Sequence, residues 1–302
     1  MSTSFGTIAD DLKVSLGLAK SHVLSYFLAN LGMAVVIVVL LAMIGIPLAI
    51  ITILTGGLVW ASLGSIATSW AMSNPWVVGS MGVMSVIPIV SLFLVVVGSV
   101  YGMSNDLVLE GETKAELAFS YLRRKFLSFV GAGAVLTVII VLPLVLLSVS
   151  VGYYLNLTVV SPNSTILTAI SVAWIYVSVG LTSMVLPAIV NGKGVQAAVK
   201  ESLSLSTRYF DRVFGLLTAI ILLAVVMFSP ALLLAYGLST GLVSISTALT
   251  PAFAAVAIST AVAVLLWIFL LLPMVKIAFV KVYHDLTGGQ VATQSVLYMP
   301  VV

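Results

Sequence analysis

Cysteine is absent from the sequence and charge is scarce. Without thiols there can be no disulfide, zinc–thiolate site, iron–sulfur cluster or cysteine nucleophile, and the redox compartment stays open. Only 7% of the 302 residues are charged, twelve basic against nine acidic, where a soluble globular domain carries about 25%. So few charges exclude a water-soluble protein, a disordered chain and nucleic-acid recognition through a basic face. Histidine is limited to His22 and His284. Neither has a second histidine or a carboxylate cluster at metal-ligand spacing, so both are read as surface or interfacial packing residues. No Gly-x-Ser-x-Gly elbow and no glycine-rich phosphate loop occurs. Glu110, Glu112 and Glu116 read as a solvated face balanced by Arg123, Arg124 and Lys125 rather than as catalytic carboxylates. No catalytic residue, metal site or cofactor is expected, and the chain is read as non-enzymatic.

Apolar sequence fills the space. Hydrophobic residues make up 62% of the chain, and the mean hydropathy is +1.29. All charged residues fall within 10–20, 106–125, 193–212 and 276–285, separated by charge-free stretches of 85, 67 and 63 residues. A spanning helix needs about 20 apolar residues, so each shorter stretch holds two spans and a turn. An even number of spans returns the chain to the side it left. The four charged segments therefore share one face, which the positive-inside rule makes cytoplasmic. Spanning β-strands are excluded, because the runs lack period-two alternation.

The first stretch is long enough for three spans, but residues 57–72 are short and broken by Ser62, Gly64, Ser65, Thr68 and Ser69. Three spans would also put Lys13 and Lys20 outside. Two spans with an interfacial or re-entrant outer insertion fit better. The expected fold is all-α, with six transmembrane helices at about 22–52, 76–104, 127–151, 165–190, 213–236 and 250–276. It is one integral membrane domain over 1–302, with both termini on the cytoplasmic side of the cell membrane. Residues 1–21 have no apolar core of a secretory signal. The interior of these spans holds no Asp, Glu, Lys or Arg, which argues against ion-coupled transport.

A threefold internal repeat runs through the chain, over about 5–104, 112–190 and 193–285, with a short tail at 286–302. Each copy opens with helical apolar spacing: Ile8, Leu12, Leu16, Ala19 and Val23; then Ala115, Ala118, Leu122 and Phe126; then Val195, Ala198, Val199 and Leu203. These segments read as amphipathic helices on the cytoplasmic membrane surface. Each enters the bilayer through Phe-x4-Gly, at Phe27 and Gly32, Phe126 and Gly131, and Phe210 and Gly215. The glycine is expected to let the surface helix bend into the span. A proline follows at Pro47, Pro143 and Pro230. The even-numbered spans repeat too, Met103 to Gly111 aligning with Met184 to Gly192, and Leu186-Pro187 with Leu272-Pro273. The expected unit is surface helix, span, outer turn, span.

The stretch Leu186-Pro-Ala-Ile-Val-Asn-Gly-Lys-Gly-Val-Gln-Ala-Ala-Val-Lys-Glu-Ser202, followed by Arg208-Tyr-Phe210, resembles the membrane-domain family attached to some glycerophosphodiester phosphodiesterases. Related stand-alone prokaryotic six-span membrane proteins share the pattern. It consists of a proline leaving one span, a short loop, an Ala-x3-Ser surface helix and a basic-aromatic entry to the next span. Tyr283-His-Asp285 is similar to the family's closing segment. The resemblance covers most of the chain. It implies a six-span architecture and a role in the membrane, not phosphodiesterase activity, since the hydrolase domain has no counterpart in the 302 residues.

These features point to a scaffold or a subunit of a larger membrane assembly. The expected partners are membrane lipids and a protein or second copy meeting helix faces or the surface helices, with no nucleic acid. The alternative is a permease subunit or a passive or lipid-handling pathway, for which Gln196-Ala-Ala198 and the span-four stripe Ser171, Ser178 and Thr182 are candidate features. Two glycosylation acceptor tripeptides, beginning at Asn156 and Asn163, fall in the outer loop and make the chain a candidate glycoprotein.

Overall fold

The computed structural model describes residues 5–54, 73–155, 165–240 and 250–289. These residues are almost wholly helical, and six helical stretches are long and apolar enough to cross a membrane. The helices are α1 (Phe5–Ser21), α2 (Val23–Leu54), α3 (Pro75–Glu110), α4 (Ala115–Leu155), α5 (Thr165–Thr182), α6 (Val185–Val190), α7 (Val195–Arg208), α8 (Phe210–Ser239), α9 (Thr250–Leu266) and α10 (Leu272–Thr287). A π-helical turn, Trp267–Leu271, joins α9 to α10. The membrane-length stretches are Val23–Met43, Val86–Glu110, Ala115–Ser150, Leu167–Val190, Phe210–Ser239 and Pro251–Thr287.

The expected spans differ from these stretches at several ends. The last stretch continues to Thr287, eleven residues beyond the expected end at 276, and so includes Lys276, Lys281 and Asp285. The second stretch runs to Glu110 rather than 104. In the middle copy the expected surface segment and span are one unbroken helix of 41 residues, α4. At 1.5 Å per residue α4 is about 60 Å long, roughly twice the hydrocarbon thickness. No glycine or proline interrupts 115–130, and that segment is rich in good helix formers.

Breaks do occur before α2 and before α8, but neither lies at the signature glycine. The first is at His22, where Ser21 Oγ donates to the Leu18 carbonyl (3.0 Å) and lies 2.9 Å from His22 Nδ1. Such side-chain bonds compete with the helical ladder. The second is at Tyr209, whose φ of −119° and ψ of 44° are not helical. Gly32 and Gly131 lie inside helices, and Gly215 lies in the second turn of α8. They provide room for a side chain: an added Cβ would meet the Phe119 ring at Gly32, Val195 Cγ2 at Gly131 and Ile8 Cδ1 at Gly215, at 2.5, 3.3 and 2.5 Å. Pro143 and Pro230 sit inside α4 and α8, and Pro47 falls within the range of α2. Interior prolines are tolerated where neighbouring groups re-satisfy the freed carbonyls.

The chain forms two compact units. The first comprises Met1–Leu28, Met103–Ala115 and Leu205–Val302. Its buried side chains include Ile8, Ala19, Tyr26, Met103, Leu107, Leu216 and Ile277. The second comprises Ala29–Gly102 and Glu116–Ser204. There Gly98 faces the Phe129 ring and Gly102 the Tyr121 ring, so α3 approaches α4 through its glycines. Ser202 bridges a helix break in this unit: its Oγ donates to the Leu181 carbonyl (2.7 Å) and accepts the Met184 N–H (3.2 Å). These bonds give the serine of the Ala-x3-Ser pattern a structural role, because they satisfy the Leu181 carbonyl and the Met184 N–H at the break. The Trp174 indole N–H donates to the Ile140 carbonyl (3.1 Å), tying α5 to α4.

Gly133 is the tightest glycine contact with backbone, since a Cβ there would run into Ser91 Cα. Gly133→Val should lower stability by about 1–3 kcal/mol through overpacking. Gly45→Val, where nothing lies within 4 Å, is the matched control. Thermal unfolding in detergent followed by tryptophan fluorescence should give a lower midpoint for the Gly133 variant; equal midpoints would contradict the close α3–α4 approach.

Candidate functional site

The largest concentration of buried charge lies in the first unit. Helix α1 buries Ile8, Asp11, Ser15 and Ala19 along one face, placing a carboxylate among small and apolar groups. Because α8 restarts after Tyr209, Arg212 falls in its first turn. Helix α10 carries Lys281 and Asp285 one turn apart.

These four side chains form a closed network. The Arg212 guanidinium grips Asp11 with Nε to Oδ2 (3.2 Å) and Nη2 to Oδ2 and Oδ1 (3.0 and 3.2 Å). Its Nη2 also donates to Asp285 Oδ2 at 2.5 Å. Lys281 Nζ donates to Asp11 Oδ1 (2.6 Å) and Asp285 Oδ2 (3.1 Å). Two cations and two anions cancel, and their side chains are only 4–16% exposed. A buried carboxylate without a partner would carry a large desolvation penalty; this one is held by both cations.

Other polar pairs lie beside the network in the same unit. His284 Nε2–H donates to Asn105 Oδ1 at 2.8 Å, and the Tyr26 hydroxyl meets Ser104 Oγ at 2.8 Å. Thr113 Oγ1 donates to the Met103 carbonyl (3.1 Å) just before the loop to α4. Lys276 is also buried in α10. His284 therefore belongs to the packed interior, not to the surface as its sequence context suggested. A cavity of 290 Å³ opens at the α7–α8 break, lined by residues 208–212, Asp285 and Leu286.

Among the described residues, no group of three or more histidines and carboxylates is gathered as metal ligands. Ser178 and Thr182 donate to the Trp174 and Ser178 carbonyls of their own helix, each at 2.7 Å. Of the repeat residues, Phe27 packs on Phe269 (ring centroids 5.1 Å) and Phe210 stacks on Phe214 (4.3 Å), while Phe126 is half-buried in α4. Asn156 and Asn163 lie outside the described residues, as do 55–72 of the proposed insertion. The charged network was missed in the sequence because the face of α1 was read from Ile8, Leu12, Leu16, Ala19 and Val23, without Asp11. A usable signal existed: Asp11 lies three residues after Ile8 and eight before Ala19, on the same helical face. No protein-family model, curated protein or solved structure matches this chain.

Removing one carboxylate should leave a net buried positive charge. Asp11→Asn is expected to destabilise the docking of α1 by about 3–5 kcal/mol. Amide hydrogen exchange should speed up across α1, while Asp10→Asn, at an exposed neighbour, leaves it unchanged. Adding Arg212→Gln to Asp11→Asn restores neutrality and should recover part of the protection. Equal exchange in the two single variants would contradict a load carried by the network.

Proposed function

We propose that this chain is a non-enzymatic, multi-pass cell-membrane protein acting as a scaffold or as a subunit of a larger membrane assembly. The observation that carries the reading is the neutral network itself. The buried charges Asp11, Arg212, Lys281 and Asp285 are satisfied within the protein, where they tie α1, α8 and α10 together, instead of being aimed at an open reaction centre. The likeness to the membrane-domain family belongs to this proposal and agrees with it.

Three repeated helix pairs, with surface helices as a docking collar and both termini cytoplasmic, complete the reading. Three left-handed glycines support the repeat: Gly111 (φ 79°), Gly192 (φ 94°) and Gly288 (φ 76°) follow the second, fourth and sixth membrane-length stretches. Glycine suits such helix ends because it adopts positive φ without a Cβ penalty. The signature glycines add a second recurrence. Gly32 meets Phe119 of copy two, Gly131 meets Val195 of copy three, and Gly215 meets Ile8 of copy one.

Parity supports the topology. Asp11 is bonded to Arg212 and Lys281, which supports an even number of crossings between these residues. The Tyr26–Ser104 bond imposes the same condition on the first charge-free stretch, supporting two spans and an insertion over three spans. Exposed Trp76 and Tyr236 near the other ends suit the aromatic layer at a headgroup boundary.

A second reading, a permease subunit or passive or lipid-handling pathway, is favoured by one feature. Lys276 is buried in the last apolar stretch just after a π-helical turn. Intramembrane ionisable groups and π-bulges both concentrate at functional sites. Mild extraction from native membranes followed by native electrophoresis separates the readings. A stable assembly well above the 31.6 kDa chain and lacking an ATPase is expected. A co-purifying ATPase, or solute flux in proteoliposomes abolished by Lys276→Met, would overturn the scaffold reading.

A further inference from the structure

Arg208 and Asp211 are opposite charges three residues apart that line one cavity without pairing with each other. Both are exposed, and among the described residues neither forms an ion pair. The cavity's other charges, Arg212 and Asp285, belong to the neutral network and bring no net charge. The cavity thus presents one available cation and one available anion over a balanced floor.

Its surroundings are amphipathic in a definite order. The Arg208 guanidinium is held over the Tyr209 ring, 5.4 Å from its centroid. Stacking of this kind restrains arginine and leaves its N–H edge for an oxyanion. Next comes Phe210, 55% exposed, and beyond it the exposed Leu222, Val226 and Leu233 along α8. Beyond Asp211 and Arg212, α8 carries no further charge. The volume, 290 Å³, lies at the lower end of ligand pockets, which span roughly 300–1,000 Å³. That suits a headgroup better than a whole lipid.

We propose that this cavity binds the headgroup of a zwitterionic phospholipid. Arg208 holds the phosphodiester, Asp211 holds the ammonium, and the acyl chains run along α8 from Phe210. The assignment needs only that the α7–α8 break lies at a membrane surface, and it stands whether or not the chain is a scaffold. The other copies serve as internal comparisons. Copy two keeps the cation, with Arg124 over Tyr121 at 5.3 Å and two residues before Phe126, but has Leu127 where copy three has Asp211. Copy one has Ser25 and Leu28 at these places. Only the third copy holds both charges.

The test uses the full chain in nanodiscs of mixed phosphatidylethanolamine and phosphatidylglycerol, with retained lipid identified by native mass spectrometry after detergent release. The wild type should retain phosphatidylethanolamine preferentially. Arg208→Ala should cut retention about tenfold, the loss expected for a charge-assisted hydrogen-bonded contact. Arg208→Lys, which keeps the charge but not the fork, should fall to an intermediate level and guards against a folding defect in the alanine variant. Asp211→Asn should remove the preference between the two lipids, and Arg124→Ala should leave it intact. Soluble phosphoethanolamine in excess should not displace the lipid. Equal retention of both lipids by the wild type, unchanged retention in both Arg208 variants, or full displacement by soluble phosphoethanolamine would overturn the proposal, the last by making the ligand a small phosphate ester.

Discussion

Burying a carboxylate beside apolar helices is the constraint on which the first unit depends. Asp11 can leave water only because Arg212 and Lys281 reach it, and those cations can be buried only because Asp285 balances the second charge. The four groups come from three distant parts of the chain. Neutrality therefore requires the N-terminal helix, the start of α8 and the end of α10 to meet. Hydrophobic burial has no direction, and the apolar helices could slide or rotate at small cost. A four-charge network with fixed donors and acceptors permits far fewer arrangements.

Packing elsewhere follows a different rule. Long apolar helices gain little from meeting each other in lipid, so association rests on close fit and on small residues. Gly32, Gly98, Gly102 and Gly133 each admit a neighbouring ring or backbone that a Cβ would exclude. Serine and threonine mostly return their protons to their own helix, as Ser99, Thr137 and Thr218 do to the carbonyls four residues back. Polar side chains are thereby neutralised locally, while Asp11, Arg212, Lys281 and Asp285 are neutralised at one shared place.

The gross fold was legible in the sequence because its signal is long and redundant. Charge-free runs of 63 residues or more leave little choice but apolar helices of membrane length. Boundaries were less legible. Lys276, Lys281 and Asp285 looked like the end of a span, although paired or buried charges can continue in the same helix to Thr287. The breaks at His22 and Tyr209 depend on local side-chain bonding and backbone conformation rather than on glycine or proline, so the signature glycines misdirected the expected bends. The charged network was the least legible part. Its bonded members are separated by up to 270 positions, and single-helix periodicity reports only that Asp11 shares a face with Ile8, not that cations await it.

The most direct test of the one-sided gathering of charge is the accessibility of single cysteines, for which a chain without native cysteine has no background. Exposed positions Lys13, Lys114 and Lys193 report on three charged segments, and Ser73 and Thr240 on the opposite helix ends. In intact cells treated with an impermeant maleimide, cysteines at Ser73 and Thr240 should be labelled, and those at Lys13, Lys114 and Lys193 only after the membrane is opened. Labelling of position 13 from outside while position 193 stays protected would contradict the shared face and the three-pair architecture with it.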